Sequence, residues 1–217
     1  VVNSTSKYIN ANSSAISGVI TDGGKFKWDT EKYPGMKDFK KFGPFAYTAK
    51  LRNGLFRNTG ACLSPQNAFY NSIGMETLGL RMERVCDNAK KLAQFFATEY
   101  SDIEVNYPGL AGSKWHNIAT EQFGDKFGGI ITIRTGNKKR AFGIIDALKL
   151  PLIVSNIGDT KTLVIHPEST LNVHSTQEEK ETAGVFDDLI RISVGIEDID
   201  DLIDDFKQAI ESVKDVY

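Results

Sequence analysis

An α/β fold is predicted, on three observations. Short runs rich in β-branched residues, "ISGVI", "IEVNY", "GGIITIRTG", "KTLVIH" and "DDLIRISVGI", alternate with stretches of helical period. Residues 64–100 carry Met82, Val85, Ala89, Leu92 and Phe96 at three- and four-residue steps, so one helix face is apolar. The C-terminal stretch repeats the pattern with Ile199, Leu202, Ile203, Phe206, Ile210 and Val213. With 217 residues, at roughly 100–200 per domain, the chain makes one large domain or two small ones. A hydrophobic content of 41% supports a real core.

Taken in order, the chain opens on "VVNSTSKYIN". Val1 and Val2 begin what reads as a strand, and Lys7 follows three hydroxyl residues, Ser4, Thr5 and Ser6. A lysine at the end of a buried strand, ringed by hydroxyls, is a candidate for chemistry. Residues 16–20 read as a second strand. "TDGGKFKWDTEKYPGMKDF" is rich in Gly, Lys and aromatics and reads as a long loop or lid. A domain boundary is expected near Gly60. Ser64 suits an N-cap and Pro65 the first helical position, so 64–100 is expected as one long helix crossing between two subdomains. Short strands follow, with a helix around "KKRAFGIIDAL" and the terminal amphipathic helix. The acidic run 197–205 opens that helix, where carboxylates favour the dipole; its spacing is not that of a calcium loop.

Composition excludes several classes. The formal charge is −2 and no basic stripe is present, so no nucleic-acid partner is expected. No apolar run approaches ~18 residues, so no membrane-spanning helix is expected. Cys62 and Cys86 form no CxxC pair, and His116, His166 and His174 are scattered, so no metal is expected. Two reduced thiols suit a cytoplasmic protein. The first residue is not Met and falls inside an apparent strand, so the chain is expected to be the C-terminal piece of a longer polypeptide.

Lys7 admits three readings from its neighbours alone. A Ser/Thr cluster beside a lysine is often only a turn. "STSK" also satisfies S-x-x-K, with Ser4 as nucleophile, but the partner motifs fail: "SDI" at Ser101 and "KTL" at Lys161 stand where S-D-N and K-T-G are needed. The third reading is a Schiff-base lysine for pyridoxal phosphate, with Ser4 and Ser6, two apart in an extended stretch, sharing a face toward one phosphate.

The rest of the chain carries a resemblance. "STSKYINANSSAISGVITDGGKFKW" resembles the cofactor-lysine segment of the Cys/Met-metabolism family of pyridoxal-phosphate enzymes. The likeness continues in order through "GACLSPQNAFYNSIGMETLGLRMERVCDNAKKLA", "VNYPGL", "FGGIITIRTG", "SNIGDTKTLVIHPEST" and "DDLIRISVGIEDIDDLIDDF". Within the family it is most similar to the O-acetylhomoserine sulfhydrylase group, by the "DGGKFKWDTEKYPGM" loop and by Asn156-Ile157-Gly158, where many related lyases carry Ser-Leu-Gly.

The resemblance implies a pyridoxal-phosphate transferase of fold type I, C-terminal part. Residues 1–60 would be the tail of the large cofactor domain, and 61–217 a linking long helix with the smaller α/β C-terminal domain. It implies that Lys7 holds pyridoxal 5'-phosphate as a Schiff base and later shuttles protons. Ser4 and Ser6 would bind the phosphate. Arg191 would clamp the substrate α-carboxylate, with help from Asn156. The implied reaction is γ-replacement on O-acetyl-L-homoserine by sulfide, giving L-homocysteine and acetate in methionine biosynthesis. Methionine γ-lyase and cystathionine synthase or lyase chemistry use the same lysine and arginine, and a catalytically silent fragment is a further alternative. The implied partners are the amino-acid substrate, sulfide and the missing N-terminal half, within a homotetramer built from dimers. The chain departs from the family at Asn3, at the "NANSS" loop where glycines and a His are usual, and at Leu171 and Asn172.

Overall fold

The computed structural model describes residues 1–214 and contains two sheets. A small antiparallel ribbon pairs β1 (Val2–Ser4) with β2 (Gly18–Ile20) in the register Val2↔Ile20, Ser4↔Gly18. The larger sheet holds β3 (Glu104–Asn106), β4 (Ile130–Arg134), β5 (Leu152–Ile153), β6 (Leu163–Ile165) and β7 (Leu189–Ser193), in the order β3-β4-β7-β6-β5. Only the β5–β6 pair is parallel, so the sheet is mixed and the fold is α/β as expected.

Eight α-helical segments accompany the strands among the described residues. They are α1 (Ala46–Lys50), α2 (Arg57–Thr59), α3 (Pro65–Glu76), α4 (Leu78–Glu99), α5 (His116–Phe123), α6 (Lys138–Ala147), α7 (Gln177–Thr182) and α8 (Ile199–Ser212). Helices α4, α6 and α8 pack together and against the sheet. The stripe read from the sequence supplies that contact: Leu202, Phe206 and Ile210 of α8 are fully buried, and Phe206 meets Phe96 of α4 edge-on at 5.2 Å between ring centroids. Burying each such side chain stabilises the fold by about 1.5–3 kcal/mol. Alternation in β7 puts Ile190 and Ile192 into this core and leaves Arg191 half-buried, opposite Thr132 and Ile165.

Three expectations are corrected. Residues 64–100 do not form one helix: the chain breaks at Thr77 (φ −107°, ψ 5°) between α3 and α4. The break lets Arg81 Nη2 reach back to the Gly74 carbonyl at 2.6 Å, while its Nε donates to Thr77 Oγ1 at 3.1 Å. An orphan carbonyl at the end of α3 is thereby satisfied. The opening strand is exposed rather than buried, with Val1 83% and Val2 72% accessible. Residues 34–59 are largely helical, which the sequence reading missed. There 3-10 turns (Pro34–Phe45) lead into α1, a π-helical run (Leu51–Phe56) and α2, which Gly60 ends in the left-handed region. Only Met36 and Ala46 are buried across that stretch, so little amphipathic period marks it. The capping reading holds at α3, where Ser64 accepts from Asn67 N at 3.2 Å. Cys62 is exposed, Cys86 is buried, and both are free thiols.

One electrostatic clasp ties the segment after β6 to two helices. Glu168 takes Lys138 at 2.7 Å and Lys180 at 2.5 Å, and these ammonium groups pull its carboxyl down to about 2. A carboxylate depressed on folding stabilises the protein above its unfolded pKa, and that contribution is lost as pH falls from the ordinary glutamate range toward 2. Glu168→Gln is therefore expected to lower stability at neutral pH by about 1 kcal/mol after allowance for solvent screening. Parallel melts should show the difference vanishing near pH 2.

Candidate functional site

The lysine-bearing turn begins where the ribbon ends. Thr5 N donates to Ser17 O at 3.1 Å and Thr5 Oγ1 to Ser17 Oγ at 2.6 Å, so Thr5 is buried while Ser4 stays exposed. Ser6 Oγ accepts from Ser17 N at 2.8 Å and donates to Ser17 O at 3.2 Å. The turn closes on itself through Asn10 N and Ala11 N to Lys7 O, at 3.1 and 3.3 Å.

The elements of the larger unit hold this turn in place. Arg81 Nη1 donates to the Tyr8 carbonyl at 2.7 Å. Arg81 is buried, forms no ion pair among the described residues, and burial pulls its pKa below the ordinary arginine value. Asn71 joins both strands of the loop, accepting from Asn10 Nδ2 at 3.2 Å and donating to Ser17 Oγ at 2.8 Å. Two glycines allow the close approach. A Cβ on Gly74 of α3 would stand 2.4 Å from the Ile9 carbonyl oxygen, and a Cβ on Gly158 would stand 2.7 Å from Tyr8 N and 3.1 Å from the Lys7 carbonyl carbon.

The loop after β5 brings the other expected residues to Lys7. Lys7 Nζ donates to Asn156 Oδ1. Arg191, from the centre of the sheet, reaches the same loop, with Nη2 donating to Ser155 O at 3.0 Å and Asn156 O at 3.2 Å. Lys7, Asn156 and Arg191 therefore converge, although 149 residues separate the first two. Burial pulls the Arg191 pKa down, yet a guanidinium remains protonated in proteins. Arg191 forms no ion pair among the described residues, so it is a half-buried cation suited to a carboxylate from outside the chain. An amine held by an amide oxygen beside such a cation suits covalent capture of a carbonyl next to a bound carboxylate. Ser4 and Ser6 stand at the start of the turn, and neither touches Lys7, Asn156 or Arg191 through a side-chain hydrogen bond among the described residues.

The sequence reading missed Arg81, Ser13 and Asp159 at this site. Asp159 and Gly158 lie inside the quoted "SNIGD" stretch, but nothing local marks Arg81 as a partner of a turn 73 residues away.

Residues 1–211 match the family model of the Cys/Met metabolism PLP-dependent enzymes. The chain belongs to this family. Its relatives include the O-acetyl-L-homoserine sulfhydrylase of Corynebacterium glutamicum, 38% identical over 98% of this chain, and the homocysteine synthase of Schizosaccharomyces pombe, 38% identical over 97%. In each case the match takes in 52% of the relative, so the chain spans about half the length of the curated relatives it matches. Among solved structures, a putative O-acetylhomoserine (thiol)-lyase from Campylobacter jejuni superposes with a TM-score of 0.87 at 35% identity, over 97% of this chain and 53% of that one. That protein was solved with N'-pyridoxyl-lysine-5'-monophosphate. Within the Cys/Met metabolism family, then, the Lys7 turn, the Asn156 loop and β7 form the candidate site of this chain.

Proposed function

We propose that this chain supplies the lysine, amide and arginine of a pyridoxal-phosphate-dependent O-acetylhomoserine sulfhydrylase. The observation that carries the reading is the convergence of Lys7, Asn156 and Arg191, in a family whose relatives bear that activity in their names. The donor set fits the cofactor. Lys7 would hold its aldehyde and the hydroxyls of Ser4 and Ser6 would face its phosphate, Ser6 by redirecting the proton now given to Ser17 O. When bound, pyridoxal phosphate supplies an electron sink for negative charge at the substrate α carbon.

The chain's own groups do the rest. Arg191 grips the α-carboxylate of O-acetyl-L-homoserine through two parallel N–H donors and so fixes the α carbon beside Lys7. The Lys7 amine takes one proton from the α carbon and one from the β carbon; acetate leaves the γ carbon, hydrosulfide adds there, and one proton is returned to the β carbon and one to the α carbon. Asn156 keeps the amine aimed. The products are L-homocysteine and acetate. γ-Elimination uses the same groups and separates from this reading by its products.

The rest of a family-length polypeptide is the proposed partner. Only Ala15, Met36 and Ala46 are buried apolar residues within 1–60, whereas Val2, Ile20, Phe26, Phe42, Phe45 and Phe56 are exposed there. A stretch with so little core of its own needs a covering surface. Division of the chain near Gly60 into the tail of a cofactor domain and a smaller domain, a homotetramer built from dimers and a cytoplasmic setting belong to the same proposal. Among the described residues no helix is long and apolar enough to cross a membrane.

Arg191→Lys tests the substrate assignment, in the chain reconstituted with the remaining half of a family polypeptide. Lysine keeps the charge but loses the fork, so kcat/KM for O-acetylhomoserine should fall by about 10²-fold, the worth of two charge-assisted bonds. KM for sulfide should hold. Unchanged kcat/KM would remove Arg191 from the site.

A further inference from the structure

We propose that Ser13 is a positioning residue that fixes the orientation of the Asn156 amide and, through it, the amine of Lys7. Two facts about Ser13 belong together. Its backbone is in the left-handed region, at φ +58°, as is that of Ala11 at φ +81°. Such a conformation is costly for a residue with a Cβ and persists only where the surroundings impose it. At the same point the Ser13 hydroxyl accepts from Asn156 Nδ2 at 2.5 Å and donates to Asp159 Oδ2 at 3.0 Å.

Donor and acceptor capacities set the direction of this chain of bonds. An ionised aspartate only accepts, and a lysine ammonium only donates. Asp159 is anchored through its other oxygen, which accepts from Lys161 N at 3.1 Å and Thr160 Oγ1 at 3.3 Å. The Ser13 proton therefore goes to Asp159, and the Ser13 oxygen is left to accept. Asn156 must then present its NH2 to Ser13, which turns its carbonyl oxygen to Lys7. With the amide flipped, NH2 would oppose the ammonium of Lys7, donor against donor. Ser13 thus touches neither Lys7 nor the expected position of the substrate, and acts through Asn156.

The inference rests on Lys7 being the reactive residue proposed above, but its test needs no cofactor. The probe is trace labelling with acetic anhydride of the chain reconstituted with the remaining half of a family polypeptide, without added cofactor, with the Lys7 peptide quantified by mass against the other lysine peptides. Ser13→Gly removes the hydroxyl and also relieves the backbone, so it should melt no lower than the parent. Ser13→Ala removes the hydroxyl and keeps the strain, and Asp159→Ala removes the anchor without touching Ser13. All three should label Lys7 about fivefold faster, the equilibrium weight of one ordinary hydrogen bond. Unchanged Lys7 labelling in folded Ser13→Gly and Asp159→Ala would overturn the proposal and leave Ser13 a loop residue. Failure of Lys7 to take pyridoxal phosphate would instead strike the cofactor reading, and the labelling result would stand apart from it.

Discussion

Lys7→Ala should lower turnover by at least about 10³-fold, within the range set by losing a positioned proton carrier. Stability should change by less than about 1 kcal/mol, because Lys7 is half-buried and its side chain makes one bond, to a neutral amide. Lys7→Arg separates charge from chemistry. Arginine preserves the positive charge and can still donate to Asn156 Oδ1, but its guanidinium stays protonated and cannot take a proton from carbon. Both variants should therefore fail alike in turnover while both melt near the parent temperature. An active Lys7→Arg chain would mean that Lys7 contributes charge and no proton transfer.

Gly158→Ala should cost about 3–5 kcal/mol. Two penalties add. Gly158 sits at φ +74°, where a Cβ is strained in any environment. The new carbon would also stand 2.7 Å from Tyr8 N, a backbone atom that cannot swing away as a side chain can. Retreat of the loop is opposed on its other side, where Gly158 N donates to Ser193 Oγ at 3.0 Å within the sheet. Against a typical stability of about 5–15 kcal/mol this is a large fraction of the total. Urea unfolding measures it directly. A cost below about 1 kcal/mol would show that the Asn156 loop does not press on the lysine turn.

These two residues show how differently parts of the site could be read beforehand. Lys7, Arg191 and Asn156 were legible as candidates because each sits in a motif that carries the resemblance, and the structure brings the three together; their roles are part of the proposal. The α8 stripe was legible because a single helical face is buried, and the period survives in the sequence. The break at Thr77 was not legible, because the residues on both sides keep a helical pattern. It is held by a guanidinium that bonds a carbonyl seven residues back and another 73 residues away. A strand at the start of the chain was legible from two valines, but whether it is buried was not, and in this chain those valines are exposed. The helical turns of 34–59 left little signal, since a segment whose apolar side chains remain exposed need not show a buried face. Ser13 was hidden for another reason: a serine in a polar loop is unremarkable until its φ and its two partners are known.

The most direct test of the central claim is borohydride reduction after addition of pyridoxal phosphate to the chain reconstituted with the remaining half of a family polypeptide, followed by peptide mapping. The account predicts a visible absorbance band before reduction and a stable pyridoxyl group on the peptide containing Lys7 afterwards. A folded, reconstituted sample that carries the label only on other lysines, or on none, would contradict it.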